Sequence, residues 1–313
     1  MQILLIALSA VLALALIIFL GALIALLRQL LPRRAPDIMT DDVSHTRFAK
    51  YLPAMRREVA ELRAMAHEDV YMESFDGARL RARLYRGAEG ADAVVLLHGY
   101  RSSFENDFAG IAQWYVSRGY TVLAADMRGC GASGGRLVTF GAKERRDAVA
   151  WAQYAGYVLG AGRVWVHGVS MGAASALCAL AEGYPEAVRG VVADCPFNSS
   201  LGVFAYYLRT RFHLPGFPIL QIGYFAWALL AGADYARMSC AGAAAGSGLP
   251  ILLLRAGEDS TVPPGSAEAV WEARGRRDKL VEFPHAHHAL CWQEDSEKYA
   301  EAIEHFLNRT RGG

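Results

Sequence analysis

Neither sign of charge is in excess in this chain. It has 32 Lys and Arg against 31 Asp and Glu, a formal net charge of +1, and no basic block. Nucleic acid needs a clustered cationic footprint, so it is not an expected partner. Cysteine is scarce too. The five cysteines, Cys130, Cys178, Cys195, Cys240 and Cys291, are scattered and odd in number, with no Cys-x-x-Cys pair. That spacing speaks against a disulfide framework and against a thiolate zinc site. No metal and no organic cofactor is expected. Gly129-Cys130-Gly131 lacks the strand-to-helix setting of a dinucleotide site and reads as a tight loop. Internal repeats are absent, and the Ala/Gly run at 241–248 reads as a flexible loop.

Long apolar runs, by contrast, are present. From Ile3 to Leu27 the chain is almost unbroken Leu, Ile, Ala, Val and Phe, about 25 residues and enough to span a bilayer with some tilt. A cleaved signal peptide would have a basic start and a shorter apolar core. The reading is an uncleaved single-pass anchor. Arg28, Arg33 and Arg34 follow it directly, so the positive-inside rule puts the following domain on the cytoplasmic side. Free cysteines agree with a reducing compartment. Beyond it, Val43, Phe48, Leu52, Met55, Val59, Leu62 and Met65 recur at helical spacing, with Pro53 as a break or a helix start. This segment either packs on the following domain or lies along the membrane surface.

The chemistry is concentrated at Val164-Trp165-Val166-His167-Gly168-Val169-Ser170-Met171-Gly172-Ala173-Ala174. A short apolar strand meets Gly-x-Ser-x-Gly, and small helix formers follow, the context of a nucleophile elbow. Side chains at Gly168 and Gly172 would strike neighbouring backbone. Ser170 is weak as a nucleophile until a base takes its proton and a third group orients the base. Downstream, the apolar strand around 250–254 runs into Gly257-Glu258-Asp259, and Leu280-Val281-Glu282-Phe283 runs into a loop holding His285, His287 and His288. Upstream, Ala93-Val94-Val95-Leu96-Leu97 ends in His98-Gly99-Tyr100. Each candidate lies at the carboxyl end of a strand, where open α/β sheets build their sites. His98 and His167 read as structural residues.

Several motifs together resemble the α/β-hydrolase superfamily of serine hydrolases, and within it the membrane-anchored, serine aminopeptidase-like group. They are His98-Gly99-Tyr100, Asp126-Met127-Arg128-Gly129-Cys130-Gly131-Ala132-Ser133, Gly168-Val169-Ser170-Met171-Gly172, Gly257-Glu258-Asp259-Ser260-Thr261-Val262-Pro263 and His287-His288-Ala289. The resemblance implies a mostly parallel eight-stranded sheet, helices on both faces and a small helical lid, in addition to the N-terminal transmembrane helix. It implies Ser170 as nucleophile, Asp259 as acid and His288 as base, with His287 next in line. The oxyanion hole falls to the backbone N–H groups of Tyr100 and Met171.

The expected organisation is an anchor at 1–30, a juxtamembrane helical linker at 31–68 and a catalytic domain at 69–313 with a lid at 196–248. Asp76-Gly77 signals a hairpin between strands at 70–75 and 80–85. Parallel strands are expected near 93–97, 121–125, 163–167, 190–194, 250–254 and 279–283. Between them fall helices at 107–118, 141–159, 171–182, 264–274 and 295–308. The lid is rich in Phe197, Phe204, Tyr206, Tyr207, Phe212, Phe217, Tyr224, Phe225 and Trp227, as core packing or as an apolar acyl or lipid-touching surface. The expected substrate is a small-molecule or lipid carboxylic ester, with the membrane as the other contact and no obligate protein partner. An aminopeptidase or thioesterase is the alternative, and Glu258, Glu182 or Asp194 would then hold a substrate amine. A non-catalytic scaffold on the same fold is the third reading.

Overall fold

Among the residues described by the computed structural model (2–31, 34–233, 235 and 238–312), eight strands form a single sheet. In chain order they are β1 (Glu68–Glu73), β2 (Arg79–Tyr85), β3 (Ala93–Leu97), β4 (Thr121–Ala125), β5 (Val164–Val169), β6 (Val188–Asp194), β7 (Ile251–Ala256) and β8 (Lys279–Phe283). Across the sheet the order is β1-β2-β4-β3-β5-β6-β7-β8. The β1–β2 and β2–β4 pairs are antiparallel, and the pairs from β4 to β8 are parallel. The hairpin turn is longer than a two-residue loop. Ser74 to Ala78 closes it, with the Ser74 N–H on the Ala78 carbonyl at 2.8 Å and Gly77 at φ +80.

The helices are α1 (Gln2–Leu27), α2 (Leu52–Ala64), α3 (Phe104–Ser117), α4 (Glu144–Gln153), α5 (Met171–Cys178), α6 (Ser200–Phe212), α7 (Ile219–Ala231), α8 (Cys240–Ala245), α9 (Ser266–Ala273), α10 (Cys291–Glu294) and α11 (Ser296–Thr310). The helical stretch expected over 141–159 is an α-helix over Glu144–Gln153 that continues as a π-helix over Tyr154–Val158.

The central strands are apolar throughout because both faces of the sheet are covered. Alternate residues enter two separate cores. Val95, Leu97, Val166, Val191 and Leu253 face α4, α5 and the 196–248 segment. Val94, Leu96, Trp165, Val192, Leu252 and Leu254 face α2, α3 and α11. Pro53 stands in the first turn of α2, where its missing N–H costs nothing. Leu52, Met55, Val59 and Leu62 are the buried stripe of that helix, and they join the second core with Ile38 and Val43.

One expectation needs correction. The Ala/Gly run at 241–248 is helical over Cys240–Ala245 rather than a flexible loop. Ser239 caps it by accepting from the Gly242 N–H at 3.0 Å. Its alanines are the best helix formers, and their small size lets the helix lie against α5 and α9. The cysteines, scattered in sequence, meet in space. Cys178 and Cys240 lie 3.5 Å apart, Cys195 and Cys291 3.7 Å apart, all as buried free thiols.

A buried ion cluster ties the antiparallel edge to the parallel half. Arg128, 3% exposed, holds Asp147 through Nε and Nη2, both at 2.9 Å, and reaches Asp76 at 2.9 Å and Ser74 at 3.0 Å. Removing one partner leaves a buried charge uncompensated. Asp147→Ala is therefore expected to destabilise the fold by about 3–5 kcal/mol, read as a lower midpoint in denaturant unfolding. A loss under about 1 kcal/mol would show that Asp76 alone suffices.

Candidate active site

The turn from β5 into α5 carries Ser170 at φ 55, ψ −112, a region side chains seldom adopt. Its amide donates to the Asp194 carbonyl at 2.8 Å, and its carbonyl accepts the Ala174 N–H at 2.9 Å, which starts the helix. A Cβ at Gly172 would collide with the Leu97 carbonyl oxygen, and one at Gly168 with Gly172 and Ala173 backbone. Glycine is required at both positions by contact, as the motif implies. The turn leaves Ser170 half-buried at the carboxyl edge of the sheet.

The structure brings three of the sequence candidates together. The Ser170 hydroxyl lies 2.7 Å from His288 Nε2, and His288 Nδ1 lies 2.6 Å from Asp259 Oδ2. An ionised carboxylate only accepts, so Nδ1 carries the hydrogen and Nε2 accepts from Ser170 Oγ–H. Asp259 is oriented in turn. Its Oδ1 accepts from the Thr261 and Val262 N–H groups at 2.8 and 3.1 Å. Burial raises the Asp259 pKa, but the hydrogen bonds from His288, Thr261 and Val262 outweigh it and hold the carboxyl below its ordinary value. Burial disfavours a charged His288 ring, yet Asp259, with Cys195 alongside, pushes it up to about 9.

The other titratable candidates fall elsewhere. His285 and His287 are exposed and lie 3.8 and 3.6 Å from Glu258. His98 is fully buried. Its Nε2 accepts the Met127 N–H at 3.0 Å and its Nδ1–H donates to the Gly99 carbonyl at 2.8 Å, pinning the β3 and β4 loops together. His167 sits between the Tyr115 and Tyr299 hydroxyls, and burial lowers its pKa to about 3. Of the acids that would hold an amine, Glu182 pairs with Arg145 at 2.9 Å. Asp194 is buried and accepts from Tyr299 at 3.0 Å, and Glu258 faces His285 and His287.

Tyr100 follows β3, and the chain passes close to the serine there. A Cβ on Gly99 would lie 3.3 Å from Ser170 Cβ. The Tyr100 ring packs on Phe140, and its hydroxyl donates to the Gln29 carbonyl at 2.8 Å. Met171, the first residue of α5, is fully buried. The aromatic residues of 196–248 divide. Phe197, Phe204 and Trp227 are core, whereas Phe212, Phe217 and Phe225 are exposed.

Sequence reasoning passed over Cys195, whose φ of 50 follows directly on β6. Its sulfur, an Asp259 oxygen and a His288 nitrogen all lie within 4.8 Å of one another. These atoms have the donor types of a metal site. Both His288 nitrogens are already engaged by Ser170 and Asp259, so ligation there would break the hydrogen bonds just described. No local pattern marks Cys195; only the meeting of three strand ends does.

A family model described as alpha/beta hydrolase fold matches residues 92–217. The uncharacterized protein YqkD of Bacillus subtilis (strain 168) is 25% identical over 218 residues, 69% of this chain and 71% of that protein. Among solved structures, the esterase Pf2001 of Pyrococcus furiosus superposes with a TM-score of 0.63 at 25% identity, over 80% of this chain and 95% of its own. Est1E of Butyrivibrio proteoclasticus, solved with ferulic acid, gives a TM-score of 0.63 at 19% identity, over 78% and 100%. These matches carry the fold and do not separate out a serine aminopeptidase-like subgroup.

The two buried histidines are expected to titrate at opposite extremes. In an NMR titration of ring protons, His288 should hold its proton above the ordinary histidine range, toward about 9, and His167 should stay neutral down to about 3. Asp259→Asn removes the partner of the charged ring, so the His288 midpoint should fall. An unmoved midpoint would show that Asp259 does not set it.

Proposed function

We infer, from the α/β-hydrolase fold of this chain, that it is a membrane-anchored serine hydrolase of carboxylic esters. The observation that carries this reading is the relay of Ser170, His288 and Asp259 at 2.7 and 2.6 Å. Ser170 Oγ attacks the ester carbonyl carbon while His288 Nε2 takes its proton. Asp259 holds the ring in the required tautomer and stabilises the imidazolium. The negative oxygen of the tetrahedral intermediate is taken by the Tyr100 and Met171 N–H groups, the latter at the first turn of α5, where helix amides lack internal acceptors. His288 then gives its proton to the leaving alcohol. Water, deprotonated by the same ring, cleaves the acyl-enzyme and restores Ser170.

Ester rather than peptide cleavage is favoured by the acids. Glu182 pairs with Arg145 and Asp194 is buried against Tyr299, so neither is offered to a substrate amine, and Glu258 lies beside His285 and His287. The solved structure of an esterase, Pf2001, shares the fold. The apolar helix over Leu5–Ala25, 21 residues long and 6% buried, serves as the anchor in this reading. The anchor takes 1–30, the linker 31–68 and the catalytic domain 69–313, with 196–248 as its lid. Arg28 and Arg34 beside the span favour a cytoplasmic domain; Arg33 lies outside the described residues.

The test is hydrolysis of p-nitrophenyl esters from acetate to palmitate. Ser170→Ala should lower kcat by about 10³-fold or more. The neutral ring is the base, and His288 loses its proton only as pH rises, so kcat/KM should climb through a midpoint on the alkaline side, toward about 9. Retained turnover in Ser170→Ala would end the nucleophile assignment. A folded wild type inert on the whole series would end the esterase reading.

A further inference from the structure

Apart from Gln221 and Tyr224, helix α7 is apolar on every side. Ile219, Leu220, Gly223, Trp227 and Ala231 form its buried stripe. The opposite side should be polar if it faced water. Instead Ile222, Phe225, Leu229 and Leu230 stand out, Phe225 and Leu229 more than 70% exposed, with Phe217 just before the helix. These side chains, with Gln221 among them, form an exposed apolar surface of the kind that marks an interaction site.

What covers it is indicated by the helix beside it. Helix α1 packs against α7. Along α1 the shielded residues lie at its end: Ala22 is buried, and Phe19 and Leu27 pack on the core. Residues 3 to 18 stand exposed wherever they are described. From Phe19 to Leu27 is about 12 Å of helix, within or just past the end of a hydrocarbon span about 30 Å thick. A domain packed on Phe19 and Ala22 reaches the end of that span. Helix α7, which packs on α1, then lies at the boundary of acyl chains and headgroups. Its outer face and the outer face of α1 then form one continuous apolar surface.

The catalytic loop lies at the same level. Gln29, two residues past α1, accepts the Tyr100 hydroxyl, and Tyr100 adjoins the Gly99 position next to Ser170. Arg28 and Arg34 are exposed at this end of the span, where cations meet anionic headgroups. The ester carbonyls of acyl lipids lie at this boundary too.

We propose that α7 and the end of α1 form one bilayer-facing surface, and that the ester reaching Ser170 is an acyl lipid drawn sideways from the membrane interface. The proposal rests on the anchored-hydrolase reading above and names its substrate class.

The full-length chain in phosphatidylcholine vesicles tests it by two readouts. Leu229→Cys carries a spin label, and its relaxation is compared with dissolved oxygen and with a water-soluble nickel chelate. Greater access to oxygen is expected; greater access to the chelate overturns the membrane placement. The second readout compares 4-methylumbelliferyl oleate held in the vesicles with p-nitrophenyl butyrate in water. The double variant Phe225→Glu, Leu229→Glu should lose about tenfold or more on the oleate and keep the butyrate rate. An unchanged ratio of the two rates overturns lateral entry, whether the variant keeps both rates or loses both equally. A wild type inert on both esters defeats the hydrolase reading instead, and the spin label still decides where α7 lies.

Discussion

Everything at the candidate site depends on one close approach of backbone, between the first turn of α5 and the carboxyl end of β3. No side chain fits between Gly172 and the Leu97 carbonyl. That contact seats α5 on the sheet, and the chain must then leave β5 through the strained conformation of Ser170. Strain of this kind costs of order 1–3 kcal/mol. It is offset because all eight residues of α5 are buried and because the Ser170 amide is held by Asp194. The Ser170 backbone is therefore held in place by the fold.

The buried histidines show how neighbours, not residue type, assign roles. His98 uses both ring nitrogens on backbone and becomes a rivet between two loops. His167 meets only hydroxyls, so burial decides and the ring stays neutral. His288 is equally hidden, but Asp259 faces Nδ1 and reverses the balance. Only His288 combines a carboxylate that favours the charged ring with a hydroxyl to deprotonate.

Much of this was legible in the chain because the relevant forces are local. The elbow needs small residues at fixed offsets, and buried parallel strands need unbroken apolar runs, so β3, β5, β6 and β7 and the loops after them could be read directly. Ser170 and Asp259 follow β5 and β7, and His288 follows β8. Choosing among His285, His287 and His288 needed a family pattern, because exposure within a loop is not periodic. Contacts between distant segments stayed invisible. Cys195 beside His288, the two thiol pairs, and Arg128 bridging Asp76 and Asp147 join residues whose separation in sequence carries no signal. The 241–248 run was misread because alanine and glycine together look like a loop until Ser239 and the flanking helices are seen to hold them.

Aromatic contacts link α7 to the loop that follows β3. Trp227 on α7 packs on Phe204 with ring centroids 4.0 Å apart, Phe204 on Phe140 at 4.6 Å, and Phe140 on Tyr100 at 4.6 Å. Tyr100 belongs to the loop that passes beside Ser170 and is tied to Gln29 at the end of α1. Packed rings do not slide independently; a shift of one requires its neighbour to repack. Burying the outer face of α7 and holding the end of α1 therefore act on the same loop from two directions. An isolated α7 with apolar residues on both sides would be a liability in water. Seated against α1, it gives the loop at Ser170 a second support beside the Tyr100–Gln29 bond.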